Sequence, residues 1–65
     1  MNIGKNIRRL RREKNMTQEE LAENLNVSVS AVSQWETAAN LPDVMLSPAL
    51  ASFFGVLTDE LFDFN

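Results

Sequence analysis

Residues 18–37, QEELAENLNVSVSAVSQWET, decide the fold. Counting Gln18 as the first, Leu21, Leu25, Val27, Val32 and Trp35 fall at places four, eight, ten, fifteen and eighteen, with Ala22 at five and Asn26 at nine. Such spacing gives two short helices an apolar seam, a small residue where they touch and a turn residue that tolerates positive φ. The first helix opens on Thr17-Gln18-Glu19-Glu20. This is a capping box, in which the threonine oxygen and the Glu20 carboxylate satisfy orphan amides reciprocally, and two acids in the first turn suit the helix dipole. The helix ends near Leu25 and Asn26 makes the turn. Ser28 is the N-cap of the second helix, expected over 29–36, with an apolar face of Val32 and Trp35 and a small Ala31 for close packing.

The same reasoning extends in both directions. Ile3, Ile7 and Leu10 form one stripe of a helix over 3–14, with Asn2 at its N-cap position and Asn15 just past its end, where left-handed geometry is common. Downstream, Leu41-Pro42-Asp43 breaks the chain, and Leu46, Leu50, Phe53 and Phe54 resume helical spacing. A fourth helix therefore starts between Val44 and Pro48 and runs to Phe54, with Pro48 tolerated only in its first turn. Gly55-Val56 is a helix stop with an apolar clamp, and Thr58-Asp59-Glu60 caps a last short helix carrying Leu61 and Phe62. The expectation is a single all-α domain over 1–65, five short helices without a strand, repeat or internal linker.

Composition narrows the function classes. A chain of 65 residues has one small core, near the lower end of what folds without staples. It contains no cysteine and no histidine, which excludes disulfides, thiolate metal sites and histidine-based catalysis and fits a reducing cytoplasm. No glycine-rich phosphate loop is present, and the carboxylates read as caps and surface charges, so no enzyme, cofactor or small-molecule substrate is expected. No apolar run is long enough to span a bilayer and the basic start is too interrupted for a signal-peptide core. A soluble, cytoplasmic protein without membrane contact is expected.

The formal net charge of −3 argues at first sight against a polyanionic partner. Its distribution matters more. All six basic residues, Lys5, Arg8, Arg9, Arg11, Arg12 and Lys14, lie in the first fourteen positions, and eight of the nine acids lie after them. At about 100° per residue, Lys5, Arg8, Arg9 and Arg12 fall roughly opposite the apolar stripe of the first helix; the ordinary reading of such a stripe is a solvated helix face. On the helix over 29–36, Val29, Ser30, Ser33, Gln34 and Thr37 make an outward face that is short, uncharged and mostly small. Such a face suits a groove lined with base edges, and equally an ordinary weakly polar surface.

Met16-Thr17-Gln18-Glu19-Glu20-Leu21-Ala22, Val27-Ser28, Ala31-Val32-Ser33-Gln34-Trp35-Glu36, Leu41-Pro42-Asp43 and Phe53-Phe54-Gly55-Val56 together resemble the Xre/Cro-type regulators and phage-repressor DNA-binding domains, over nearly the whole chain. The resemblance implies a lambda-repressor-like domain of five helices with a helix-turn-helix motif at 18–37, its third helix entering the major groove of double-stranded DNA. It further implies a sequence-specific transcriptional regulator, most often a repressor, bound as a homodimer to a palindromic site with half-sites ~34 Å apart.

Residue by residue, the resemblance implies that Gln18 binds a phosphate with its side chain and its backbone amide. Val29, Ser30, Ser33 and Gln34 would face bases or the adjacent backbone, Gln34 being the best base reader because its amide donates and accepts at once. Ser28 and Thr37 would reach phosphates. Arg11 and Glu36 would pair across the first and third helices in a mainly structural role, and Trp35 belongs to the core. The chain also departs from the family pattern. Ala38 and Ala39 stand where a glycine and a basic residue are usual, which removes a phosphate contact and makes the loop more helical. Val29 replaces a polar base reader, Met45 and Ser47 exchange the expected polarity, and Leu57 replaces a capping serine. Phe62 and Phe64 could supply a dimer surface, although Phe62 fits the core better and Phe64 equally fits a frayed end or the start of a second domain. The alternative function is a protein-interaction module that keeps the fold without useful DNA binding.

Overall fold

The structure is a computed structural model describing residues 3–62; Asn2, expected at the first N-cap, and Phe64, expected at a dimer surface, lie outside the described residues. Five helices follow in order: α1 (Ile3–Glu13), α2 (Gln18–Leu25), α3 (Val29–Glu36), α4 (Ser47–Phe54) and α5 (Thr58–Phe62), with a single 3₁₀ turn, Val44–Leu46, leading into α4. No strand occurs among the described residues. The first helix stops one residue earlier than expected, although the Lys14 amide still donates to the Leu10 carbonyl at 3.2 Å, an ordinary ambiguity at helix ends.

The core follows from the apolar stripes. Ile3, Ile7 and Leu10 of α1 meet Leu21 and Ala22 of α2, Val32 and Trp35 of α3, Leu50, Ala51 and Phe54 of α4 and Leu61 of α5. Met16, Leu25, Val27, Leu46, Phe53, Val56 and Phe62 pack around it. Phe62 is thus part of the packing rather than a bare surface ring.

Two contacts lock α1 to distant parts of the chain. Gly4 lies against the end of α3 so closely that a Cβ there would overlap the Trp35 carbonyl oxygen and sit 3.3 Å from that of Glu36. Asn6 is buried, and its side-chain amide donates to the Leu61 carbonyl at 2.8 Å and that of Glu60 at 3.4 Å, tying α1 to α5.

The first four helices end alike. Asn15, Asn26, Ala38 and Gly55 adopt left-handed φ values of 55°, 58°, 64° and 70°. In each case that residue and the next donate backwards in the paired pattern of a Schellman turn: Asn15 to Arg12 and Met16 to Arg11, Asn26 to Glu23 and Val27 to Ala22, Ala38 to Trp35 and Ala39 to Gln34, Gly55 to Ser52 and Val56 to Ala51. Only Gly55 does so without a Cβ penalty, and Asn is the next most tolerant. The greater helicity expected for the Ala38-Ala39 loop is corrected: these two bonds close α3 at Glu36 and hold Ala38 left-handed despite its methyl group.

The last third carries the two departures that concern stability. Ser47 is buried, and its hydroxyl finds no partner among the described residues, a cost of about 1–3 kcal/mol for such a group. Thr58, expected as a cap, is instead the first residue of α5; the cap position is Leu57, whose exposed side chain accepts nothing. Glu60 partly compensates, because its carboxylate accepts the Leu57 amide proton at 3.1 Å.

Candidate nucleic-acid interface

Helical periodicity divides α3 into two faces. Val32, Trp35 and Glu36 are buried, whereas Val29, Ser30 and Gln34 are exposed and Ser33 is half-buried. Ser28 and Thr37 flank the helix, both exposed. The Ser28 backbone is extended, and its hydroxyl oxygen accepts the Ala31 amide proton at 3.1 Å, so the helix starts at the expected residue and the hydroxyl proton is left over. Thr37 turns its hydroxyl back along the helix to the Ser33 carbonyl, 3.1 Å away. Its proton is spent there, and only its oxygen lone pairs face outward.

Gln34 is held at both ends. Its Nε2 donates to the Ser30 hydroxyl at 3.3 Å, and its Oε1 accepts from the Asn40 side-chain amide at 3.0 Å. The remaining valences are one N–H and one carbonyl lone pair, the combination a bidentate amide contact requires. Sequence reasoning missed Asn40. Six residues separate it from Gln34, which is no helical interval; the Schellman turn brings it back, with its own amide donating to the Gln34 carbonyl at 3.2 Å.

The start of α2 lies beside the buried end of α3. Thr17 and Glu20 form the reciprocal capping box, the Thr17 hydroxyl accepting from the Glu20 amide at 3.1 Å and the Glu20 carboxylate from the Thr17 amide at 2.9 Å. Gln18, the first residue of the helix, is half-buried and turned inward: its Nε2 donates to Glu36 Oε1 at 3.1 Å. The side chain expected at a phosphate is therefore engaged inside the protein, with one N–H and the carbonyl oxygen remaining.

Glu36 is the centre of this cluster. Arg11 donates through Nε to Oε2 at 2.7 Å and through Nη2 to Oε1 at 3.0 Å, a bidentate pair, while its Nη1 donates to the Met16 carbonyl at 2.7 Å. The Arg8 Nε stands 3.9 Å from Oε1. Burial pushes the Glu36 carboxyl up, but hydrogen bonds from Arg11 and Gln18 and the charges of Arg11 and Arg8 outweigh it, leaving the group below its usual range. The hydrogen bond and charge of Glu36 raise the Arg11 guanidinium above its ordinary value against the opposing effect of burial.

The other cations are distributed along the outside of α1. Arg9 pairs with Glu13 at 3.0 Å, and Lys14 stands over the Phe53 ring, 5.4 Å from its centre. A shallow, open groove runs along this face between Lys5, Arg8, Arg9, Arg12 and Glu13. Exposed apolar side chains gather elsewhere, at Leu41, Val44 and Met45 around the break before α4. No helix among the described residues is long and apolar enough to cross a membrane.

Comparison with known proteins matches this chain, over residues 7–61, to the family described as helix-turn-helix. An HTH-type transcriptional activator, BcrR of Enterococcus faecalis, is 41% identical over 61 residues, which is 94% of this chain. The chain spans 30% of that relative's length. No solved structure matches.

Proposed function

The chain belongs to the helix-turn-helix family, of the Xre/Cro type, and from that premise we propose that it is a double-stranded-DNA-binding unit of transcription regulation, with α3 in the major groove. The observation that carries this reading is the exposed, uncharged face of α3, mounted on a buried seam and ending in a Gln34 amide with one donor and one acceptor to spare. Gln34 reads a base, most favourably adenine. Ser30 and Ser33 discriminate weakly, and Val29 touches a thymine methyl. Ser28 donates its remaining hydroxyl proton to a phosphate, and Thr37 does so after rotating its hydroxyl away from Ser33. Gln18 contributes its backbone amide at the positive end of α2.

The regulator acts as a homodimer on a palindromic site, for which the exposed Leu41, Val44 and Met45 supply apolar surface. Occupying a promoter represses and occupying a neighbouring site activates. Repression is the reading drawn from the family pattern, while the related protein is called an activator. The rival reading, an interaction module without useful DNA affinity, draws on the net charge of −3 and on Ala39 in place of a loop cation.

Selection of bound sites from a randomised duplex library tests the proposal. A recovered palindrome with half-sites one helical turn apart supports a dimeric reader, and Gln34→Ala is expected to relax one base position by ~1–3 kcal/mol. Failure to bind mixed duplex DNA even at low salt favours the rival.

A further inference from the structure

An acidic protein that grips DNA needs specific cations at the interface, and the six available are not equivalent. Arg11 is consumed by Glu36 and the Met16 carbonyl, Arg9 by Glu13, and Lys14 lies over Phe53. Lys5, Arg8 and Arg12 remain, all exposed on α1. Of these, only Arg8 is tied by geometry to the start of α2. Its Nε and the Gln18 Nε2 flank the same carboxylate oxygen, Glu36 Oε1, at 3.9 Å and 3.1 Å.

That oxygen is already taken. It accepts from both Arg11 and Gln18, while Glu36 Oε2 accepts from Arg11. At 3.9 Å Arg8 is held by charge without a hydrogen bond, and its side chain is 56% exposed. Among the described residues its guanidinium makes no hydrogen bond. The start of α2 meanwhile carries Glu19 and Glu20 in its first turn, so the helix dipole alone is a poor attractor for an anion approaching the Gln18 amide.

We propose that Arg8 is a phosphate-binding residue of the DNA interface, closing onto the backbone phosphate at the start of α2. The assignment rests on the DNA-binding reading above and extends the footprint from the helix-turn-helix onto α1. Because Arg8 meets the backbone and not a base edge, it contributes affinity and salt dependence without altering sequence preference.

Anisotropy titration of a short mixed-sequence duplex over a salt series tests it, using the wild type, Arg8→Gln, Arg8→Lys and Arg9→Gln, each with its melting midpoint measured. Arg8→Gln is expected to reduce the slope of log affinity against log salt by about one unit, Arg8→Lys to retain it and Arg9→Gln to change it less. Equal slopes for Arg8→Gln and Arg9→Gln, at unchanged midpoints, overturn the assignment while leaving DNA binding intact. No wild-type binding at low salt overturns the DNA-binding reading and this assignment together.

Discussion

The two faces of α3 are built on opposite principles. On the inner face Trp35 is 5% exposed and its carbonyl is in contact with Gly4, while the Glu36 carboxylate is surrounded by Arg11, Gln18 and Arg8. The Glu36 carboxylate there takes its hydrogen bonds from two other helices, α1 and α2. On the outer face, the exposed side chains of Ser30, Gln34 and Asn40 bond to one another and, among the described residues, to no other helix. The inner face fixes where the helix lies, and the outer face keeps donors and acceptors available for something that arrives later. One helix of eight residues can serve both purposes because its periodicity separates them.

The most drastic way to break this division is Trp35→Ala. Removing the ring from the seam is expected to cost ~3–5 kcal/mol, most of the stability of a domain this size, and urea denaturation should show little folded protein. Glu36→Ala should cost about 3 kcal/mol, since it leaves the buried Arg11 charge uncompensated and Gln18 without its acceptor. This pair also makes stability depend on pH. The folded-state carboxyl of Glu36 is lowered, so its contribution is complete above the ordinary glutamate value of about 4.3 and drains as the pH falls through that value towards the lowered one. Chemical denaturation between neutral and acid pH should show this slope in the wild type and a shallower one in Glu36→Ala.

Smaller changes sharpen the comparison. Gly4→Ala brings a methyl group against the Trp35 carbonyl, and overpacking of ~1–3 kcal/mol outweighs the better helix propensity of alanine; a raised melting midpoint would refute the close approach of α1 and α3. Ala38→Gly relieves the left-handed methyl at the end of α3 and should stabilise the protein by about 1 kcal/mol. Gln34→Ala should move stability by no more than ~0.5 kcal/mol, whatever it does to base preference. A large loss there would mean that the outer face is structural after all.

Much of the fold was legible because its signals are local. The capping box at Thr17–Glu20, the Ser28 cap, the left-handed Asn15, Asn26 and Gly55, and the apolar stripes each lie within one or two helical turns. The bounds of α2 and α3 follow directly from them. The Ala38 turn was misjudged because composition favours helix at two alanines, whereas the backward bonds to Trp35 and Gln34 end it. At α5 the cap position is Leu57, where the resemblance places a serine, and not Thr58, where residue type alone places it. Glu60 reaches the amide before Thr58, so the better capping side chain is not the one used. At the interface, the outward set of α3 was readable from period alone, but Asn40 was not, since its link to Gln34 depends on the path of the turn.

The sequence by itself determined which segments are helical and which face of each is apolar, because hydrogen bonding and side-chain periodicity act over a few residues. The tertiary structure alone decided that Gly4 is a contact point and Asn6 a link between α1 and α5. It also turned Gln18 inward to Glu36 and left Arg8 beside a carboxylate oxygen that already accepts two hydrogen bonds. These facts depend on which helices cross and at what separation. A side chain's local sequence cannot specify its partner tens of residues away; only the packing of the whole core does so.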